Sequence, residues 1–176
     1  MIQVHTGISK GGSDMISEKM IAMIKDNADE LTKRLCKDLL SREETKSYRK
    51  LNEELVCERV FDVYSRLDSW LARDKKKGEI QDHYTKMGKK RFQEGIPLVE
   101  VVMALMLIKR HLWLFVLEKH FFDSSYEFRQ ALEFNNRVVL FFDRAIYFTT
   151  MGYEEELRKH GGKSDPGIIS RLLGKG

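Results

Sequence analysis

The chain has 176 residues, of which 42% are hydrophobic and 33% are charged, so it can bury one core and is not disordered as a whole. Only two prolines occur, and eight of the twelve glycines lie within residues 1–12 or 161–176. A β-sandwich or barrel needs a turn about every 8–12 residues. The interior cannot supply these turns, which excludes an all-β fold, disfavours a doubly wound α/β fold and predicts an all-α fold.

The 31 basic and 27 acidic residues leave a formal charge of +4, and the excess is concentrated in two segments. Residues 73–91 hold eight Lys/Arg against three Asp/Glu, and residues 158–176 hold five against one. A charge run is usually a solvated surface, so we expect a solvated helix junction and a flexible end, with no nucleic acid as partner. The competing hypothesis is a nucleic-acid interface at Lys75–Lys77 and Lys86–Arg91, which salt-dependent binding would reveal.

Two cysteines, Cys36 and Cys57, lie 21 residues apart in helical patterns, without a CxxC motif or a histidine at metal-ligand spacing. They predict two reduced, half-buried thiols in a cytoplasmic protein. Residues 1–13 lack the continuous apolar segment of a signal peptide. The most apolar stretch, Leu98–Leu117, contains a glutamate, a lysine, an arginine and a histidine, so we expect no membrane as partner.

Periodic apolar residues predict about five main helices after a flexible leader at residues 1–13. The first helix is predicted from about Ser13 to Leu40, with Ser13 and Asp14 as its cap. A short polar stretch follows, and a second long helix is predicted over Leu51–Leu71. Its end leads into the first basic segment.

A third helix is predicted over Glu79–Gln93, and Gly95-Ile96-Pro97 then ends it and starts the next. The fourth helix, from Leu98 to about His120, is apolar on nearly every side, which predicts that neighbouring helices cover it all round. A fifth helix is predicted from Ser124 or Ser125 to about Arg158. It is longer than the mean helix of about 11–12 residues, so we expect a bend near Gly152.

The helical domain is therefore predicted at residues 14–160, and residues 161–176 are predicted to form a hinged tail. A glycine pair provides the hinge, and the tail then carries four apolar residues on one helical face. This short amphipathic helix either packs back on the bundle, contacts a second copy of the chain, or docks on a partner protein. The candidate partner-binding residues are Ile168, Ile169, Leu172 and Leu173.

The segment from His83 to Leu98 reads HYTKMGKKRFQEGIPL, and its Arg-Phe-x-x-Gly-Ile-Pro-Leu part is distinctive. It resembles the N-terminal domain of the RsbT co-antagonist proteins, the RsbRD N-terminal family. Further similarity lies in Val102–Leu105 and Arg110–Trp113 of the fourth helix. In the fifth helix it lies in Asn136-Arg137, Phe142–Tyr147 and Gly152-Tyr153. The resemblance covers roughly residues 14–158.

The resemblance implies a globin-like sensory domain of bacterial stress signalling that pairs with a second copy and biases an output domain. In that family the output is often a STAS domain or a histidine kinase. Since the chain ends about 18 residues after the helical domain, we expect no output module and expect action in trans on a signalling protein. The leading hypothesis is a non-catalytic regulatory module that works by dimerisation and protein–protein contact.

His111 is the candidate centre of a ligand site, because it shares a stripe of the fourth helix with apolar residues. An imidazole in an apolar helical pocket can hold haem iron, so the alternative function is a haem or small-ligand sensor. The conservative interpretation is a histidine that is hydrogen-bonded inside the core or paired with Glu100 or Glu118, which share its helix face. The other candidate pocket residues are Phe115, Phe141 and Tyr147.

Arg91 is the remaining candidate ligand-binding residue. It is suited either to a structural ion pair with Glu94 or Glu100, or to an anionic ligand. The sequence has no GxSxG, HExxH, P-loop or GxGxxG motif, so we expect no enzyme and no catalytic residues. We expect no cofactor and no metal, apart from the haem of the alternative hypothesis.

Overall fold

The computed structural model describes residues 10–71, 77–119 and 124–161. Within these ranges the chain is helical and contains no strand, which confirms the predicted all-α class. The globin-like arrangement stays a prediction. The helices in chain order are α1 (Lys10–Asp26), α2 (Ala28–Ser41), the 3₁₀ helix η1 (Glu43–Lys50), α3 (Glu53–Ser65), α4 (Leu67–Leu71), α5 (Lys77–Gln93), α6 (Leu98–Lys119) and α7 (Ser125–Gly161).

Each of the first two predicted helices is split in two. Asn27 separates α1 from α2, and its side-chain amide donates to the carbonyl oxygen of Met23 at 2.7 Å. Asparagine competes in this way with helical hydrogen bonds. Arg66 separates α3 from α4. Helix α1 already begins at Lys10, within the predicted leader, and residues 1–9 lie outside the described part of the chain.

Helix η1 is anchored to the start of α6 by the buried carboxylate of Glu100. The backbone N–H and the hydroxyl of Ser47 donate to its two oxygens at 2.8 and 2.9 Å. On the other side the hydroxyl of Thr45 donates to the carbonyl oxygen of Leu39. These buried bonds fix the short helix between α2 and α6, where it closes one end of the core.

Helices α5 and α7 pack with their backbones in close approach. They run in the same direction, since Tyr84 contacts Phe141 near one end and Phe92 contacts His160 at the other. Two glycines permit this approach: a Cβ at Gly88 would overlap backbone atoms of α7, and one at Gly152 would overlap backbone atoms of α5. Helix α7 runs unbroken through Gly152, the position of the predicted bend.

Helix α6 contributes a large share of the core but is not covered all round. Its residues Leu112, Phe115 and Val116 are at most 1% exposed. In contrast, Val99 is 72% exposed and Met106 is 48% exposed. The prediction of a fully covered helix is therefore wrong, because α7 and α2 pack on two sides of α6 and leave a third side open. Among the described residues, no helix combines the length and apolarity needed to cross a membrane.

Candidate functional site

A small cavity lies between α2, η1, α3, α5 and α6. It has a volume of about 60 Å³, and ten of its thirteen lining residues are aliphatic side chains or methionine. The three polar residues at its wall are Tyr48, Arg59 and Arg91. We call this space, with its polar residues, the Arg91 cavity.

An ion-pair triad closes the Arg91 cavity on its polar side. Arg59 donates through both terminal nitrogens to the two Glu94 oxygens, at 3.1 and 2.6 Å, and Arg91 donates to one of them at 2.7 Å. This confirms the ion pair predicted between Arg91 and Glu94. Glu100, the other predicted partner, instead accepts from Ser47.

The turn after α5 places Glu94 beside Arg91. Gly95 has a φ of 70°, a left-handed conformation that suits glycine, and its N–H donates to the carbonyl oxygen of Phe92. The N–H of Ile96 then donates back to the Arg91 carbonyl oxygen at 3.1 Å. These bonds fold the chain over the helix end, and Glu94 lies three residues after Arg91 on the same side.

The environment of the triad sets two protonation states. Burial opposes ionisation of Glu94, but the hydrogen bonds and charges of Arg59 and Arg91 outweigh it and hold the pKa of that carboxyl below its usual 4.5. Burial raises the pKa of Tyr48 to about 12, although the two arginines act in the opposite direction. At neutral pH Glu94 is therefore a carboxylate, and Tyr48 keeps its hydroxyl proton.

His111 lies outside this cavity, in a polar groove between α2 and α6. Its Nε2 lies 2.8 Å from an oxygen of Asp38, which also accepts from Arg42 at 2.9 Å. Burial alone would raise the pKa of Asp38. The hydrogen bonds from Arg42 and His111 have the larger combined effect, so the pKa of this carboxyl lies below its usual value. The groove has a volume of about 400 Å³ and is rich in basic residues.

The predicted partners of His111 were Glu100 and Glu118, and both are wrong. Glu118 accepts from Arg34 instead. The error arises because helical periodicity compares positions on one helix, whereas Asp38 reaches His111 from α2. The haem alternative stays a prediction, and the imidazole it requires has a carboxylate partner in this structure.

The structure does not bring the five predicted ligand residues together. Phe115 is buried, with the cations of Arg34 and Lys119 5.8 and 5.4 Å from its ring centre. Phe141 lies in an aromatic cluster with Trp70 and Tyr84. Tyr147 is 61% exposed. Of the five, Arg91 lines the cavity; the predicted tail residues Ile168, Ile169, Leu172 and Leu173 lie outside the described part of the chain.

The open side of α6 joins an exposed stripe of α7. At about 100° per residue, Val99, Met106 and Leu117 fall within about 20° of one line on α6, and all three are exposed. The two helices are bridged here by Lys109, whose ammonium lies 3.2 Å from the carboxylate of Asp143. The exposed α7 residues on this side are Leu132, Leu140 and Tyr147. We call these six apolar residues the α6–α7 face.

The two cysteines form a disulfide between α2 and α3, so the predicted reduced thiols are wrong in this structure. The Cα atoms of Cys36 and Cys57 lie 5.8 Å apart, within the usual range for a disulfide. Their sequence separation of 21 residues did not reveal this, because it results from the packing of α2 against α3. The neighbouring residues Leu35 and Val56 line the Arg91 cavity, so the disulfide joins two helices of the cavity wall, and the cysteines themselves border an open groove on another side of these helices.

Comparison with known proteins identifies one family. The family model described as the RsbT co-antagonist protein rsbRD N-terminal domain matches residues 29–165, which is most of the chain. No curated protein and no solved structure matches the chain significantly. The matched range contains the triad, the Arg91 cavity and the α6–α7 face.

Proposed function

The chain belongs to the RsbT co-antagonist protein rsbRD N-terminal domain family, and from this premise we propose that it is a non-catalytic sensory module that dimerises and signals by protein–protein contact. The family membership supports a regulatory role in stress signalling. Dimerisation, and contact with a signalling partner in trans, are the finer parts of the proposal. The α6–α7 face is the observation that carries them.

The composition of this face favours a protein partner. Monomeric proteins seldom expose large contiguous apolar patches, and such patches commonly mark interaction sites. Here Val99, Leu140 and Tyr147 are each more than half exposed. The same side explains why α6 is apolar on nearly all its faces, since a second molecule would cover the side that the bundle leaves open.

A second copy of the chain is the occupant that fits best. A two-fold dimer brings the same patch of both molecules together, so the patch must be complementary to itself. Lys109 and Asp143 supply one charge of each sign where α6 meets α7, and the exposed Arg110 adds a cation within about 20° of the apolar line of α6. A two-fold axis near this junction can place the cations of each copy near the Asp143 carboxylate of the other.

The test is the association state of the purified protein by sedimentation, with matched variants. Leu140→Asp puts a charge into the face and is expected to raise the dimer dissociation constant at least about tenfold. Leu55→Asp is the control, because Leu55 is a 36% exposed leucine of α3, away from the face. A wild-type protein that stays monomeric at high concentration, or equal effects of both substitutions, would contradict dimerisation through this face.

A further inference from the structure

We propose that the Arg91 cavity binds a short-chain monocarboxylate, with its carboxylate on Arg91 and its hydrocarbon chain against the aliphatic wall. Binding itself stands on the geometry of the cavity. That such an acid is the signal rests on the proposed sensory function. The proposal therefore names a ligand class for a site that the family membership leaves without one.

The polar end of the cavity offers unused hydrogen-bond donors. The Arg91 side chain is 8% exposed, and among the described residues only its Nη1 donates, to Glu94. A guanidinium carries five N–H donors in a planar fork that matches a carboxylate. Among the described residues, the remaining N–H groups of Arg91 are not fully buried atoms, so they can take an additional acceptor.

Tyr48 adds a second donor beside Arg91. It is 6% exposed and lines the same cavity, and its hydroxyl makes no hydrogen bond within the described part of the chain. The hydroxyl stays protonated at neutral pH, because burial raises its pKa to about 12. A neutral donor and a cation at one end of the cavity suit a single carboxylate.

The charge of the triad matches a monoanion. Arg59 and Arg91 contribute two positive charges, and Glu94 contributes one negative charge, which leaves a net charge of +1. A phosphate monoester would bring close to two negative charges and three acceptor oxygens, for which this end has too little positive charge. The Glu100 carboxylate also acts on Tyr48, but it already accepts two hydrogen bonds from Ser47, so Arg91 is the group left for an anionic ligand.

The apolar end limits the length of the chain. An engineered cavity of about 150 Å³ accepts benzene, a ring of six carbons. By proportion, the volume of about 60 Å³ accommodates about two or three carbons. Ala104 and Val101 of α6 and Val60 of α3 form part of this wall. Propionate and butyrate are therefore the ligands that fill the space.

The first experiment titrates the full chain with a series of acids from formate to hexanoate and follows binding by NMR chemical shifts and calorimetry. Each added methylene should tighten binding about fourfold until the cavity is full. Affinity should therefore peak at propionate or butyrate, with a dissociation constant of about 1 mM, and decrease at hexanoate. Binding that does not depend on chain length, or no saturation at about a hundredfold higher concentration, would overturn the proposal.

Two variants test the two ends of the ligand separately. Arg91→Met removes the cation while Arg59 keeps Glu94 paired, and Ala104→Val fills part of the apolar space. Each should weaken butyrate binding at least about tenfold. Arg110→Met is the matched control, because it removes an exposed cation that does not line the cavity. This variant should bind butyrate with the wild-type affinity.

The outcomes separate this proposal from the proposed function. Circular dichroism checks that each variant is folded, and the chain-length series on the wild-type protein decides the question even if a variant unfolds. Equal butyrate affinity in wild type and Ala104→Val would overturn the ligand site. A monomer that still binds butyrate at Arg91 would overturn dimerisation and leave the ligand site intact.

Discussion

The two sides of α5 differ in how closely they pack. On one side Gly88 brings α5 into backbone contact with α7, and a single added carbon has no space. On the other side Met87 and Arg91 face the Arg91 cavity, where about 60 Å³ is unfilled and a disulfide joins two helices of the wall. Helix α5 therefore makes close backbone contact with α7 on one side and lines the Arg91 cavity on the other.

This difference indicates which parts can respond to a ligand. Closely packed backbones have no alternative arrangement nearby, whereas a cavity can be filled or can collapse. We therefore expect α5 and α7 to act as a fixed frame, and α2 and α3 to adjust when the cavity is occupied. The α6–α7 face has residues from both helices, but of these two helices α6 is the one that lines the cavity. A change in the cavity can therefore reach the face through α6.

The glycine contact should show the largest effect on stability. Gly152→Ala places a Cβ against backbone atoms of Thr85, which cannot move without separating the two helices. We expect the free energy of unfolding to decrease by about 3–4 kcal/mol in urea denaturation. Gly88→Ala should have a similar effect, because its Cβ meets the backbone of Thr149.

Gly78→Ala is the control for the glycine contact. Gly78 also lies in α5, but a Cβ there has no neighbour within 4 Å. Alanine favours helix more than glycine by about 1 kcal/mol, so this variant should be neutral or slightly stabilised. If all three substitutions changed stability equally, the loss would reflect helix propensity, and the close approach of α5 and α7 would be refuted.

The second prediction concerns the disulfide between α2 and α3. Reduction, or Cys57→Ser, should lower the free energy of unfolding by about 2–3 kcal/mol. Without the disulfide, the unfolded chain is no longer closed into a loop of about 20 residues and gains conformational entropy. In hydrogen exchange the loss of protection should be greater in α2 and α3 than in α5 and α7. Adding reductant to Cys57→Ser should change nothing further, and alkylation of both cysteines in unreduced wild type would disprove the bond.

Much of the fold could be predicted because its helices carry periodic apolar residues and clear ends. The bounds of α5 and α6 differ from prediction by at most about two residues, since Gly95 and Pro97 mark the junction between them. The breaks at Asn27 and Arg66 could not be predicted in the same way. Neither involves a glycine or proline, and the apolar period continues on both sides.

The site was predictable only where its residues are close in sequence. Arg91 and Glu94 lie three residues apart, so their ion pair follows from helix geometry. Arg59 lies 35 residues before Glu94, and Asp38 lies 73 before His111; nothing local marks either pair. The two glycines are a further example. Their positions in the sequence predict only that Gly88 and Gly152 disfavour helix locally, and they do not reveal that these residues lie where α5 and α7 contact each other.

The smallest expected effect is the response of the triad to acid. The pKa of Glu94 is held below its usual 4.5 despite burial, by the hydrogen bonds and charges of two arginines. Its contribution to stability is therefore complete above the unfolded-state pKa and is lost as the pH falls through the lower, folded-state pKa. Glu94→Gln should cost about 1–2 kcal/mol at neutral pH and should flatten the decline in stability below about pH 4.5.

This acid response should affect the cavity side before the glycine side. Protonating Glu94 removes the acceptor that joins α3 to the end of α5, whereas the contact at Gly88 and Gly152 involves no charge. Below pH 4.5, amide exchange should therefore increase in α3 while α5 and α7 stay protected. Glu58→Gln, which changes an exposed carboxyl next to Arg59, should retain the wild-type pH profile. Simultaneous loss of protection in all three helices would mean that the bundle responds as one unit, with no fixed frame and no adjustable wall.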